Sequence, residues 1–215
     1  LMHAEHLEAR YGVGPHTISV PRIRPADDID TADFPHAVSD EAFRRLVAVL
    51  RLAVPYTGMI VSTRESQLSR EQVLEVGVSQ LSGGSRTSVG GYADQVAASH
   101  SEQFDISDHR TLEEIVAWLL ELGYIPSFCT ACYREGRTGD CFISPAKRGL
   151  IGNCCAPNAL MTLAEYLEDY ASPHVKIEGA KMIDRLTQII PSEKERRIAM
   201  DNLKAIAEGK RDFRF

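Results

Sequence analysis

The sequence predicts an α/β fold, the C-terminal part of a larger (β/α)8, TIM-type barrel followed by a mainly helical domain. Three observations predict it. Up to about residue 91, short β-branched apolar runs alternate with amphipathic helical stretches. Three such strands cannot close a barrel, and a free three-stranded sheet would leave edges to cover. From residue 111 onward the apolar pattern is helical.

Taken in order, "LMHAEHLEAR" opens in a helix-like pattern with no capping residue ahead of it, so the chain is expected to begin in the middle of a larger domain. "HTISVPRI" (16–23), "TGMIVSTRE" (57–65) and "VSQLSGGSR" (78–86) are expected strands running into polar or Gly-rich loops. Between them, "DEAFRRLVAVLRLAV" (40–54) and "SREQVLEVG" (69–77) are expected helices, the second opening on a Ser69/Gln72 capping box. Strand, helix, strand, helix, strand implies parallel pairing through crossovers. In such barrels chemistry sits at the carboxyl ends of the strands. Those ends carry Arg22, then Ser62, Thr63, Arg64 and Glu65, then Ser82, Ser85 and Arg86.

A polar, linker-like stretch (98–110) follows, placing the expected division at 1–97 and 98–215. Thr111/Glu114 form a capping box ahead of the stripe Leu112, Ile115, Val116, Leu119 and Leu120, and Gly123 stands where a left-handed C-terminal residue is expected. Helices are expected near 158–171, 173–190 and 192–212, the last opening on Ser192/Glu195.

The formal net charge of −6, with no concentrated Lys/Arg block, argues against nucleic acid or an anionic membrane surface as the main partner. Small molecules or another protein are expected instead. The longest apolar runs are too short to cross a bilayer and no basic-then-apolar leader is present, so a cytoplasmic location is the default expectation.

All five cysteines fall between residues 129 and 155, in "CTACYREGRTGDCFISPAKRGLIGNCC". An odd number crowded into one stretch suits metal ligation better than disulfide staples. Cys129 and Cys132 form a CxxC, and Cys154 or Cys155 is the third candidate. A zinc ribbon would want a second CxxC or a His pair, and a thioredoxin-like CxxC should follow a strand and open a helix. An iron–sulfur cluster on three protein cysteines, with its fourth iron open, is the third reading.

"RYGVGPHTISVPRIRPA", "VPYTGMIVSTRES", "GVSQLSGGSRTSVGGY", "GYIPSFCTACYREGRTGD" and "CAPNALMTLAEYLEDYA" together resemble the C-terminal half of the radical-SAM tyrosine lyases of the HydG family, the FeFe-hydrogenase maturases. Related tyrosine lyases of thiamine biosynthesis, the 2-iminoacetate synthases, resemble the barrel portion. The family's C-x2-C-x22-C motif is matched by Cys129, Cys132 and Cys155. The resemblance implies that these three hold an auxiliary 4Fe–4S cluster with a further iron linked to it, and that His16 is a ligand of that iron. It places Arg64 with Ser82 or Ser85 at the amino-acid carboxylate, whose planar anion suits an Arg fork and hydroxyl donors. Pairing of Arg64 with Glu65 is the structural alternative, and Arg22 is open to an anion-holding or a structural role.

The implied chemistry is cleavage of tyrosine to p-cresol and dehydroglycine, the latter yielding CO and cyanide for H-cluster assembly. Other hydrogenase maturation proteins are the implied partners. No three cysteines have the C-x3-C-x2-C spacing needed to bind the cluster that cleaves S-adenosylmethionine. S-adenosylmethionine and that second cluster are therefore expected only with a missing N-terminal half, and the chain alone is expected to be inactive. Cys141, where the family pattern has an arginine, and Cys154 are departures, each expected to be a buried small residue or, for Cys154, a competitor of Cys155. The alternative to a lyase is a non-catalytic iron–sulfur or zinc-binding module.

Overall fold

A computed structural model describes residues 1–26, 29–88, 91–92 and 104–214. The chain forms two compact units, Leu1–Thr111 and Leu112–Phe215. The boundary expected at 97/98 lies outside the described residues.

The first unit opens with α1 (Met2–Tyr11), which ends at Gly12 in the left-handed conformation. β1 (Thr17–Ser19) leads through a long connection into α2 (Asp40–Ala53), whose first turn is capped by the Ser39 side chain accepting from Ala42 N. β2 (Gly58–Val61), α3 (Gln67–Glu75) and β3 (Gln80–Leu81) complete the alternation. The strands pair in parallel in the order β1-β2-β3, with Ile18 beside Met59 and Ile60 beside Gln80. Phe43 and Val47 of α2, Met59 and Val61 of β2, and Val73 and Leu74 of α3 are buried. α3 starts earlier than the sequence suggests: Ser66 caps it by accepting from Ser69 N, so Ser69 is a buried residue of the first turn, not the cap. The strands are also shorter than expected, because ladder pairing stops where each chain turns into its polar loop.

Arg51 ties the sheet's amino end together, donating to the backbone oxygens of Gly77, Pro55 and Thr57. Gly77 adopts φ 113°, and a Cβ there would stand 2.7 Å from Arg51 Cγ. Only glycine meets both demands.

In the second unit, α4 (Leu112–Glu121) ends at Gly123 with φ 85°, as its sequence predicts. Two short helices follow, α5 (Ala131–Arg134) and α6 (Asp140–Lys147), then α7 (Gly152–Asp169), α8 (Pro173–Gln188) and α9 (Glu193–Ala207). Ser192 caps α9 by accepting from Glu195 N. The core joins Val116 and Leu120 of α4, Leu160, Met161 and Leu163 of α7, Met182 of α8 and Ile206 of α9. Among the described residues, no helix is long and apolar enough to cross a membrane.

The α7/α8 crossing depends on Gly179, where a Cβ would lie 2.6 Å from both Leu167 methyls. Gly179→Ala is expected to lower the unfolding free energy by about 1–3 kcal/mol despite the helix-propensity gain, because the packed Leu167 must leave its rotamer. Chemical denaturation checks this; an unchanged or raised midpoint would mean that the crossing has slack.

Candidate functional site

The carboxyl ends of the strands carry Arg22, Arg24, Arg64 and Arg86, and the structure does not use them alike. The Arg22 fork grips Glu65, donates to Val38 O at 2.9 Å, meets Asp40 Oδ1 at 2.7 Å and lies 4.4 Å over the Phe43 ring. Burial alone would lower its pKa, but the carboxylates of Glu65 and Asp40 outweigh that and hold it above the ordinary value. Arg24 also pairs with Glu65. The cavity of about 720 Å³ beside them, lined by Pro21, Phe34, Phe43 and Leu46, is largely apolar, and its Arg22 is neutralised. Arg22 is therefore structural.

Glu65 being taken by Arg22 and Arg24, the expected alternative of an Arg64–Glu65 pair is not what the structure holds. Arg64 instead stacks on Phe104, with its guanidinium carbon 3.7 Å from the ring centroid. Among the described residues no carboxylate pairs with it. Arg64 lines a cavity of about 550 Å³ with Ser62, Thr63, Ser82, Ser85, Arg86 and Thr87. A guanidinium without a carboxylate, among hydroxyl donors, is suited to a planar anion. Arg64, Ser82 and Ser85, predicted together, are thus brought to one cavity.

Behind that cavity Arg70 of α3, fully buried, donates to the Asp108 carboxylate and to Ser82 O. Asp108 also pairs with Arg110, and its backbone N–H donates to Thr63 O at 3.0 Å. Burial would raise the Asp108 pKa, but hydrogen bonds from Arg110 and the charges of Arg70 and Arg110 bring it down to about 2. Sequence reading missed this pair because its members stand 38 residues apart, one in a helix and one in an apparent linker. A lone aromatic, Phe104, in that linker was the available signal.

His16 stands at the opposite, amino end of the sheet, immediately before β1. It is exposed, with Nδ1 2.9 Å from Thr17 Oγ1. The strand therefore separates it from Arg64 and the serines.

In the second unit Cys129 precedes α5, and its Sγ accepts from Ala131 N at 3.4 Å. Cys132 lies in the first turn of α5, its carbonyl accepting from Arg137 N at 2.8 Å. Gly136 (φ 65°) and Gly139 (φ 55°) turn the chain back into α6. Cys154 and Cys155 occupy the first turn of α7, where the helix dipole favours anionic sulfur. Protein crowding and the thiols of Cys132, Cys129 and Cys154 push the exposed Cys155 thiol up, while Arg137 pulls it down. Arg137 Nη1 also lies 4.0 Å from Cys154 Sγ. Arg137 beside these two sulfurs favours the thiolate form, which is the metal-ligating one. Among the described residues, no three His, Cys, Asp or Glu side chains close on a single metal-ion position. Cys141, expected to be buried, is exposed on α6, because the face of that helix turned inward is the one carrying Ile143.

Comparisons with known proteins bear on both units. Residues 19–125 match the Biotin and Thiamin Synthesis associated domain. The 2-iminoacetate synthase of Escherichia coli is 34% identical over 131 residues, 58% of this chain and 33% of that protein; its Salmonella typhimurium counterpart is 33% identical over 129 residues, again 58% and 33%. The crystal structure of HydG, a maturase of the FeFe-hydrogenase, superimposes with TM-score 0.94 at 52% identity, covering 99% of this chain and 46% of that one. HydG from Carboxydothermus hydrogenoformans gives TM-score 0.71 at 38% identity, covering 94% of this chain and 42% of that one. The chain thus spans about a third of the curated relatives and under half of the solved ones. Its sequence and fold are similar to the C-terminal half of the HydG maturases, with the Biotin and Thiamin Synthesis associated domain over residues 19–125.

Proposed function

We propose that this chain is the C-terminal portion of a radical-SAM tyrosine lyase that cleaves tyrosine to p-cresol and dehydroglycine and makes CO and cyanide for hydrogenase H-cluster assembly. The observation that carries the reading is the 52% identity to HydG across 99% of the chain. The barrel of the complete protein would take residues 1–97 as its C-terminal part, and residues 98–215 would form the domain bearing the cluster motif.

Two clusters and S-adenosylmethionine would supply the one-electron chemistry when bound. The residues of this chain would supply the rest. Arg64, Ser82 and Ser85 would hold the carboxylate of tyrosine at the carboxyl ends of the strands, fixing which bond is exposed to attack. Cys129, Cys132 and Cys155 would hold the auxiliary 4Fe–4S cluster, and His16 at the other end of the sheet would ligate the iron cargo. That the carboxylate site and His16 lie at opposite sheet ends suits a division between cleavage and iron–ligand assembly. Other maturation proteins would receive the product.

The test is p-cresol formation from tyrosine and S-adenosylmethionine by the complete protein under anaerobic, reducing conditions. Arg64→Ala is expected to lower kcat/KM for tyrosine about 10- to 100-fold, the loss of one charge-assisted hydrogen-bonding fork. Absence of p-cresol from the unsubstituted, fully loaded protein would remove the lyase reading and leave a metal-binding module.

A further inference from the structure

The segment that follows the Gly-rich loop is pinned across the carboxyl ends of the strands by its backbone. Asp105 N donates to Pro25 O beyond β1 at 3.0 Å, and Ser107 N to Thr63 O beyond β2 at 2.9 Å. Thr87 Oγ1, in the loop beyond β3, donates to Phe104 O at 3.2 Å. The same segment carries Asp108 and so is locked through Arg70 to Ser82 O. Phe104 is therefore held from the loops of all three strands, and its ring lies against Arg64 at 3.7 Å.

Arg64 is a long side chain with no carboxylate partner to fix it among the described residues. Left to itself a guanidinium samples many rotamers, and ordering it on binding costs affinity. A ring beneath one face removes water from that face and selects one orientation, while the N–H edges stay free for a bidentate partner. Arg22 and Arg24, by contrast, are fixed by Glu65, and neither faces this cavity.

We propose that Phe104 is the positioning residue of the carboxylate site: it holds the Arg64 guanidinium flat so that its fork meets a planar carboxylate edge-on. The aromatic face, not merely the apolar bulk, does this. The inference rests on Arg64 binding the amino-acid carboxylate, and it adds a residue from a stretch outside the strands and their own loops.

The test is equilibrium binding of L-tyrosine, and of tyramine as the same molecule without its carboxylate, to the complete protein carrying Phe104→Leu, Phe104→Trp or Arg64→Ala. Phe104→Leu keeps apolar volume and removes the π face, so the L-tyrosine Kd is expected to rise about tenfold while tyramine binding is unchanged. Phe104→Trp should stay within about threefold of the unsubstituted protein, since indole is the better cation–π face. If Arg64→Ala weakens L-tyrosine but Phe104→Leu does not, the positioning role is overturned and the carboxylate site stands. Equal weakening of tyrosine and tyramine by Phe104→Leu overturns it too, as general damage to the pocket. Failure of Arg64→Ala to weaken L-tyrosine overturns both.

Discussion

Asp108→Ala is expected to destabilise the Leu1–Thr111 unit by about 3–5 kcal/mol, the order expected when one member of a buried ion pair is removed. Arg70 is 0% exposed and the Asp108 side chain 2%, so water cannot replace the lost carboxylate. The charge of Arg110 adds to that of Arg70 and makes the vacancy worse, since both guanidiniums converge on Asp108. Asp108→Asn keeps the volume and one acceptor, and is expected to lose less. Urea denaturation followed through the first unit measures both; a loss below about 1 kcal/mol for Asp108→Ala would show that the pair is dispensable.

The same carboxylate sets an acid limit. Its folded pKa of about 2 lies below the value of 3.8 for a free aspartate, so the unfolded chain takes up the proton more readily. The stabilisation is therefore fully present above pH 4 and is lost as pH falls toward 2. The span corresponds to about 2 kcal/mol, and Asp108→Asn should flatten the stability profile across that window. An equally steep acid loss in Asp108→Asn would assign it to other carboxylates.

What was legible in the sequence follows the range of the interactions. α2, α4 and α9 were legible because amphipathic period and cap are local, as with Ser192 and Glu195. The three parallel strands were legible as short β-branched runs between helices. The start of α7 was not: "GNCCAP" has no apolar period and carries Pro157, yet the helix runs from Gly152 through that proline, which costs one hydrogen bond near its beginning. The short α5 and α6 were hidden in the Gly-rich cysteine stretch for a similar reason, too few turns to show a period. At the site, Arg64, Ser82 and Ser85 could be placed because strand ends are predictable. The roles of Arg22, Glu65, Arg70 and Asp108 could not, since which carboxylate neutralises which arginine is decided by packing between segments about 40 residues apart.

Anaerobic reconstitution of the chain with iron and sulfide is expected to load about four irons, and Cys129→Ala or Cys132→Ala to abolish that loading, because a three-thiolate site cannot hold a cluster with one anchor gone. Cys141→Ser, on an exposed face of α6, is expected to load as well as the unsubstituted chain. The adjacent pair decides more. Cys154 and Cys155 share one helical turn, but their side chains point about 100° apart, so one sulfur alone can close the site. Loss of cluster EPR in Cys155→Ala with retention in Cys154→Ala would make Cys155 the third ligand; the reverse would make it Cys154, beside Arg137. Equal retention in both single variants would mean that either thiol can serve, and the spacing of the motif would then not be what selects it. Tight zinc in place of iron, with no reducible EPR signal, would remove the cluster reading itself, since a single tetrahedral ion leaves no open iron for a cargo metal to join.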